Sequence, residues 1–255
     1  MVPAPPRFRR GINGPPLGRR EIPADRLESL LKDLGPGFLR RGTALSTPLE
    51  VNSNEARSAL RPCGLPLIDD LLGGGFPHGR LTEITGPVSS GRTSIALSLL
   101  AQTTQVEAQH AALVDLADAF DPLSAEAAGA ELDRILWVRA TGLKEALRSI
   151  ERLIEAEGLP LVIFDSNGTL ENIPDSVWIR ITRASRATQT SLIVLSEHRL
   201  TGAQAEIVLE MQKARPCFQG TPPFLEGMTL RAVLRRRRGA PTSEVFPQIQ
   251  RQGLP

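Results

Sequence analysis

The chain has no tyrosine, and its eight phenylalanines and two tryptophans bring aromatics to only 4% of 255 residues. Surfaces that bind single-stranded nucleic acid by stacking bases on rings need more than that, so such platforms are largely excluded. The two cysteines, Cys63 and Cys217, lie far apart. That excludes a disulfide framework and a cysteine-built zinc site, and it fits a reducing cytoplasm. No apolar run approaches the ~18 residues of a membrane span, and the proline-rich start has no apolar core of the signal-peptide kind. His78, His110 and His198 stand at no ligand spacing with cysteine or acid partners. Lysine is scarce as well, with only Lys32, Lys144 and Lys213, so arginine carries nearly all the positive charge.

What the chain does have is 41% apolar residues, enough to fill the core of one large domain or a domain plus an arm. Its net charge of +2 is unevenly spread. Residues 1–20 hold five arginines and no acid, and residues 212–255 hold eight basic against two acidic residues. The stretch between them is left at −9. An acidic body with two basic ends points to an anionic partner met by the ends, or else to solubility in an arginine-favouring composition.

Residues 1–22, with five prolines and three glycines, are expected to form a disordered arm. Residues 23–60 read as a helix and a linker. The helix opens at Pro23-Ala24-Asp25, spaces Leu27, Leu30, Leu31 and Leu34 on one side, and ends at Gly35-Pro36-Gly37. From 61 to 255 the pattern is one core. Short apolar runs predict strands at Leu81–Thr85, Ala111–Leu116, Ile135–Ala140, Leu159–Asp165 and Ser191–Ser196, with helices over 92–105, 143–157 and 174–187 between them. Such alternation predicts an α/β fold, a mostly parallel sheet with helices on both faces. The tail then reads as consecutive strands at Glu206–Lys213, Met228–Arg238 and Ser243–Ile249, which predict an antiparallel extension.

The chemistry concentrates after the first of these core strands. Leu81–Thr85 runs into Gly86-Pro87-Val88-Ser89-Ser90-Gly91-Arg92-Thr93-Ser94 and then an apolar-faced helix, the frame G-x-x-x-x-G-K-[S/T] with arginine in place of lysine. The glycines let backbone N–H groups curl around phosphates while the helix N-terminus adds its dipole, and the Thr93 hydroxyl is the expected Mg²⁺ ligand. Arg92 keeps the charge but spreads it over a wide planar fork. The sequence leaves three consequences open: binding is intact, the γ-phosphate position is blocked, or the arginine fills the site itself. The apolar strand Leu161-Val162-Ile163-Phe164-Asp165 ends in a carboxylate, and Asp165 is placed beside the loop, where a second acidic group orders the magnesium shell.

Arginines recur elsewhere. Arg180, Arg183 and Arg186 form either a stripe against phosphates or a solvated face opposite Val177, Trp178, Ile181 and Ala184. Arg235 and Arg237 share one face of a strand and Arg236 and Arg238 the other, a clustering that suggests contact with an anion.

These residues together resemble the RecA recombinase core. The run Gly64-Leu65-Pro66 through Gly73-Gly74-Gly75-Phe76 to Arg80, the Ser89-Ser90-Gly91 triplet, Val114-Asp115 and Phe120-Asp121-Pro122 carry the likeness. Leu34-Gly35-Pro36-Gly37-Phe38 and the helix before it are similar to that family's polymerisation arm, which implies self-association or docking on a partner. The resemblance implies ATP and Mg²⁺ at the loop, Asp121 near the nucleotide, and Arg235 to Arg238 reaching a neighbouring subunit's nucleotide or DNA. The departures are as informative. The family's catalytic glutamate is matched by Ala117, with Asp118 one position off, and its adenine-stacking aromatic by Ser124. Its γ-phosphate-sensing glutamine is matched by Glu197. Glu197 lies 32 positions after Asp165 and about seven residues before the next strand, so both DNA-binding loops are expected to be very short.

This pattern of loss resembles the RecA-related accessory proteins of bacterial damage tolerance, of the ImuA type. It implies contacts with RecA, an error-prone polymerase complex or DNA, and no efficient ATPase, since alanine cannot polarise water. Two other readings stand beside it. One is a divergent ATP-dependent, DNA-binding recombinase in which Asp118 supplies the base and Arg92 binds phosphate, with Glu197 a second catalytic candidate. The other is a purely structural interaction module.

Overall fold

A computed structural model describes residues 60–116, 118–166, 172–220, 223–237, 243–246 and 248–250, with three short strands Arg19–Glu21 (β1), Leu39–Arg41 (β2) and Glu50–Asn52 (β3). Most of the expected arm, its helix over 23–34, Ala117 and Arg238 lie outside the described residues.

The described core begins with the small antiparallel pair Leu60–Arg61 (β4) and Phe76–Pro77 (β5), which brackets a short helix, Pro66–Leu71 (α1). Next come Leu81–Thr85 (β6), Arg92–Ala101 (α2), Ala111–Asp115 (β7), Pro122–Ala127 (α3), Ile135–Arg139 (β8), Leu143–Glu155 (α4), Leu161–Asp165 (β9), Asp175–Thr188 (α5) and Ser191–Ser196 (β10). Two long strands follow, Ile207–Gln219 (β11) and Phe224–Arg237 (β12), then Ser243–Val245 (β13) and Gln248–Gln250 (β14).

The main sheet runs β13-β12-β11-β6-β10-β9-β7-β8-β2, with β14 also on β12. Strands β6, β7 and β10 are buried at every position, as strands covered on both faces must be. Side chains of these strands and of β9 alternate between two cores. Ile84, Leu113, Ile163, Ile193 and Leu195 meet Ile95, Leu99 and Leu100 of α2 on one face. On the other face Val114, Val162, Phe164, Leu192 and Val194 meet Ile150 and Leu153 of α4 and Trp178 and Ile181 of α5. The α/β expectation is therefore met, with two refinements. β11 pairs in parallel with β6 over Ile207–Glu210, so antiparallel pairing begins only at β12, one strand later than the tail pattern suggested. The helix expected over 92–105 is α-helical to Ala101 and then widens into a π-helical turn, Gln102–Val106.

The parallel registers bring the strand ends to one edge. Asp165 lies opposite Asp115 on β7 and Leu195 on β10, while Ser196 lies opposite Thr85 at the end of β6. Ligands of open α/β sheets bind at such carboxyl ends.

Candidate phosphate-binding site

The loop from Gly86 to Gly91 is shaped by the β11–β12 hairpin that packs across it. Gly86 has φ 151°, and a Cβ there would sit 2.2 Å from the Met211 carbonyl oxygen. Gly91 has φ 91°, and its Cβ would fall 2.7 Å from both Leu230 methyls. Both backbone angle and space demand glycine at these two positions. The Gly86 N–H donates to the Ser196 carbonyl (3.1 Å), and the Ser90 N–H to that of Pro87 (3.2 Å). No side chain caps the N-terminus of α2, so the N–H groups of its first turn face the site.

Ser89, Ser90, Arg92, Thr93 and Asp165 line a cavity of about 240 Å³ whose inner wall is Leu97, Leu100, Leu113 and Phe120. Two of its polar groups are buried without a hydrogen-bond partner, Ser90 Oγ and Arg92 Nη1, on residues only 1% and 9% exposed. Burial pushes the Arg92 pKa down, and the carboxylates of Asp165 and Glu197 oppose that. The donors present, a guanidinium, a hydroxyl and helix N–H groups, fit phosphate oxygens. Thr93 and Asp165, the two groups expected to hold Mg²⁺, line the same cavity as the Arg92 fork.

The other expected site residues are spread around this centre. Glu197 lies across the loop, lining a groove of about 520 Å³ with Gly86, Pro87, Glu210 and Lys213. Asp118 has a left-handed backbone (φ 55°), and its carboxylate pairs with the Arg139 guanidinium, which lies 5.4 Å from the Trp137 ring centre. Asp121 is the N-cap of α3. It accepts from the Leu123 and Ser124 N–H groups (3.3 and 3.1 Å) and from the Ser124 hydroxyl, which holds its carboxyl below the usual range. Asp118 and Asp121 are not among the residues lining the cavity.

The arginines are largely engaged. Arg180 on α5 pairs with Glu151 on α4, and Arg183 beside it is exposed. Arg235 grips Glu210 with Nε and Nη2 (2.8 and 3.0 Å), whereas Arg237 donates to the Leu72 carbonyl. The β11–β12 register shifts between Val208 and Leu209, so the simple alternation expected across Arg235–Arg238 is broken where Arg235 lies. Arg236 is half-buried opposite Val208.

Three features escaped the sequence reading. Buried Asp115 ties down the 116–120 loop by accepting from the Ala119 and Phe120 N–H groups (3.2 and 2.9 Å) and from Trp137 Nε1 (3.2 Å). Glu83, an acid inside a strand buried on both faces, is a signal that could have been read, and it anchors the connection after β10. Phe218, Phe224 and Phe246, three of the few aromatics, are all exposed on the C-terminal strands and the residue after β13.

Fold and loop together define a P-loop α/β core of the nucleotide-binding type. Residues 49–206 match the RecA N-terminal domain, and the chain belongs to that family. It is 35% identical over 154 residues to Protein RecA of Streptococcus pyogenes serotype M49 (strain NZ131), covering 60% of this chain and 38% of that protein. Against Protein RecA of Chlorobaculum parvum (strain DSM 263 / NCIMB 8327) it is 36% identical over 145 residues, 56% of this chain and 40% of the relative. The chain thus spans about two fifths of the length of these relatives. A solved RadB recombinase shares the fold at a TM-score of 0.61 and 22% identity, covering 76% of this chain and 98% of that one. Among the described residues no helix is long and apolar enough to cross a membrane.

Proposed function

We propose that this chain is a RecA-like accessory protein of DNA repair and damage tolerance, of the ImuA type. It carries a degenerate ATP site and acts through contacts with RecA, a mutagenic polymerase complex or DNA. Kinship with proteins named RecA supports the repair setting, and the phosphate-shaped loop supports nucleotide binding. The observation that carries the accessory reading is the pairing of Asp118 with Arg139. The one carboxylate next to the expected base position is paired with a cation and is not among the residues lining the cavity, which supports a site without a general base at that position. The short connection after β10 agrees with this, because it is tied to the sheet by Glu83.

The test is calorimetry and turnover on the purified full-length chain. ATP binding with slow turnover that single-stranded DNA does not stimulate, together with binding to purified RecA or the polymerase complex, is the expected result. Rapid DNA-stimulated hydrolysis would establish the recombinase instead, and no heat at millimolar nucleotide would establish a structural module.

A further inference from the structure

The phosphate loop owes part of its shape to a neighbour. Ser89 has a left-handed backbone (φ 61°), a conformation that a residue with a Cβ keeps only where its surroundings impose it. The surroundings here are the β11–β12 hairpin, which meets the loop at its start, middle and end. Gly86 lies against the Met211 carbonyl, where a Cβ would come within 2.2 Å of the oxygen. The Ala214 N–H donates a long hydrogen bond (3.4 Å) to the Ser89 carbonyl. Gly91 rests on the Leu230 methyls, which a Cβ would approach to 2.7 Å. Between the last two contacts stands Ser90, which lines the cavity and whose buried hydroxyl has no hydrogen-bond partner. Neither Ala214 nor Leu230 lines that cavity. Both line instead a groove of about 520 Å³ on the hairpin, with Lys213, Arg215 and Phe246. Any effect they have on a ligand in the cavity therefore passes through the loop.

We propose that Ala214 and Leu230 are positioning residues of the phosphate site: they hold the loop in the shape that accepts a nucleotide's phosphates, and a bound nucleotide in return stiffens the hairpin. The inference rests on the reading that this loop binds nucleotide. Truncating Leu230 leaves a gap beside Gly91 and frees the loop to leave the Ser89 conformation. Affinity then falls in proportion to the fraction of time the loop spends in the binding shape. The linkage is reciprocal, because a phosphate that fixes the loop also fixes the Ser89 carbonyl to which the Ala214 N–H donates.

Calorimetry with ADP in millimolar Mg²⁺ on the full-length chain, comparing truncations on β12, tests this. Leu234 lies further along the same strand, as buried as Leu230 (2% exposed) and in the same core, but opposite Leu209. Leu230→Ala is expected to weaken ADP binding about tenfold and Leu234→Ala by less than about threefold, while both lower the melting temperature. A loss below about threefold in Leu230→Ala, or an equal loss in Leu234→Ala, overturns the proposal and leaves the nucleotide site standing. No heat from the unaltered chain removes the nucleotide site and this proposal together. Should Leu230→Ala fail to fold, amide exchange on the unaltered chain decides. The Ala214 N–H is expected to exchange at least about threefold more slowly with ADP bound, and an unchanged rate overturns the proposal.

Discussion

The Thr201 hydroxyl donates a 2.6 Å hydrogen bond to the carboxylate of Glu83, fully buried on the strand that feeds the phosphate loop. The Leu200 and Thr201 N–H groups donate to the same carboxylate (2.5 and 3.2 Å), and Trp178 Nε1 donates to the Leu200 carbonyl (2.9 Å). The chain leaving β10 is therefore fastened to β6 and α5. Glu83→Ala would strand three donors in the core and is expected to cost about 3–5 kcal/mol in urea unfolding. Glu83→Gln should cost less, since its amide oxygen still accepts. A loss under about 1 kcal/mol for the alanine variant would show the connection to be held by packing alone.

A second prediction concerns acid. Burial, and then the charge of Arg61, hold the His78 pKa down at about 4, against an ordinary 6.5. Arg61 itself is buried, donating to Thr103 Oγ1 (2.9 Å) and paired with Glu107 (3.1 Å). Between pH 6.5 and 4 the unfolded chain takes up a proton at His78 that the folded chain refuses. Stability should therefore fall as pH drops through that window and lose nothing more from this residue below it. The full shift sets a ceiling of about 3–4 kcal/mol, lowered by solvent screening because His78 is only half-buried. His78→Gln should flatten the stability profile between those pH values. An unchanged slope would place the acid sensitivity elsewhere.

The buried strands were legible because an apolar run of five or six residues flanked by helical periodicity has few alternatives. Leu81–Thr85 and Ser191–Ser196 fall where the pattern puts them. Gly86 and Gly91 were legible because their spacing is what a phosphate loop requires, and the approach of Met211 and Leu230 now gives the physical reason. What the pattern could not show was partnership. Arg235 reads as a free cation until the fold lays Glu210 beside it, and Asp118 reads as a spare base until β8 brings Arg139 to it. Such pairings depend on strand order and register, which one sequence does not spell out. The π-helical turn at Gln102–Val106 was hidden because its run Gln-Thr-Thr-Gln-Val holds a single apolar residue, the exposed Val106, so no periodicity marks where the α-helix ends.

The Arg235–Glu210 pair makes the anion-contact reading testable. Arg235 is held at both Nε and Nη2, so any phosphate must first draw it away from Glu210. Glu210→Gln should release it. If the C-terminal arginines meet DNA, this variant should bind an oligothymidine several-fold more tightly. Its plot of log affinity against log salt should steepen by about 0.7 for each added phosphate contact. An unchanged slope would mean that Arg235 is a structural strut of the β11–β12 hairpin, its charge used within the chain.

The last prediction separates a lost base from a locked one. A positioned general base contributes roughly 10²–10⁴ in rate. If the site lost its chemistry through Ala117 and Arg92, then Ala117→Glu combined with Arg92→Lys should raise ATP turnover at least about 100-fold over the unaltered chain, while Arg139→Ala raises it by less than about tenfold. Arg139→Ala frees the Asp118 carboxylate, yet Asp118 keeps its left-handed backbone, and Asp115 still fixes the neighbouring Ala119 and Phe120 N–H groups. The freed carboxylate should then stay outside the cavity that Arg92 and Asp165 line. Turnover on Arg139→Ala alone that reaches the level of the double variant would prove the opposite. Asp118 would then be the base, and its pairing with Arg139 a latch on a working ATPase.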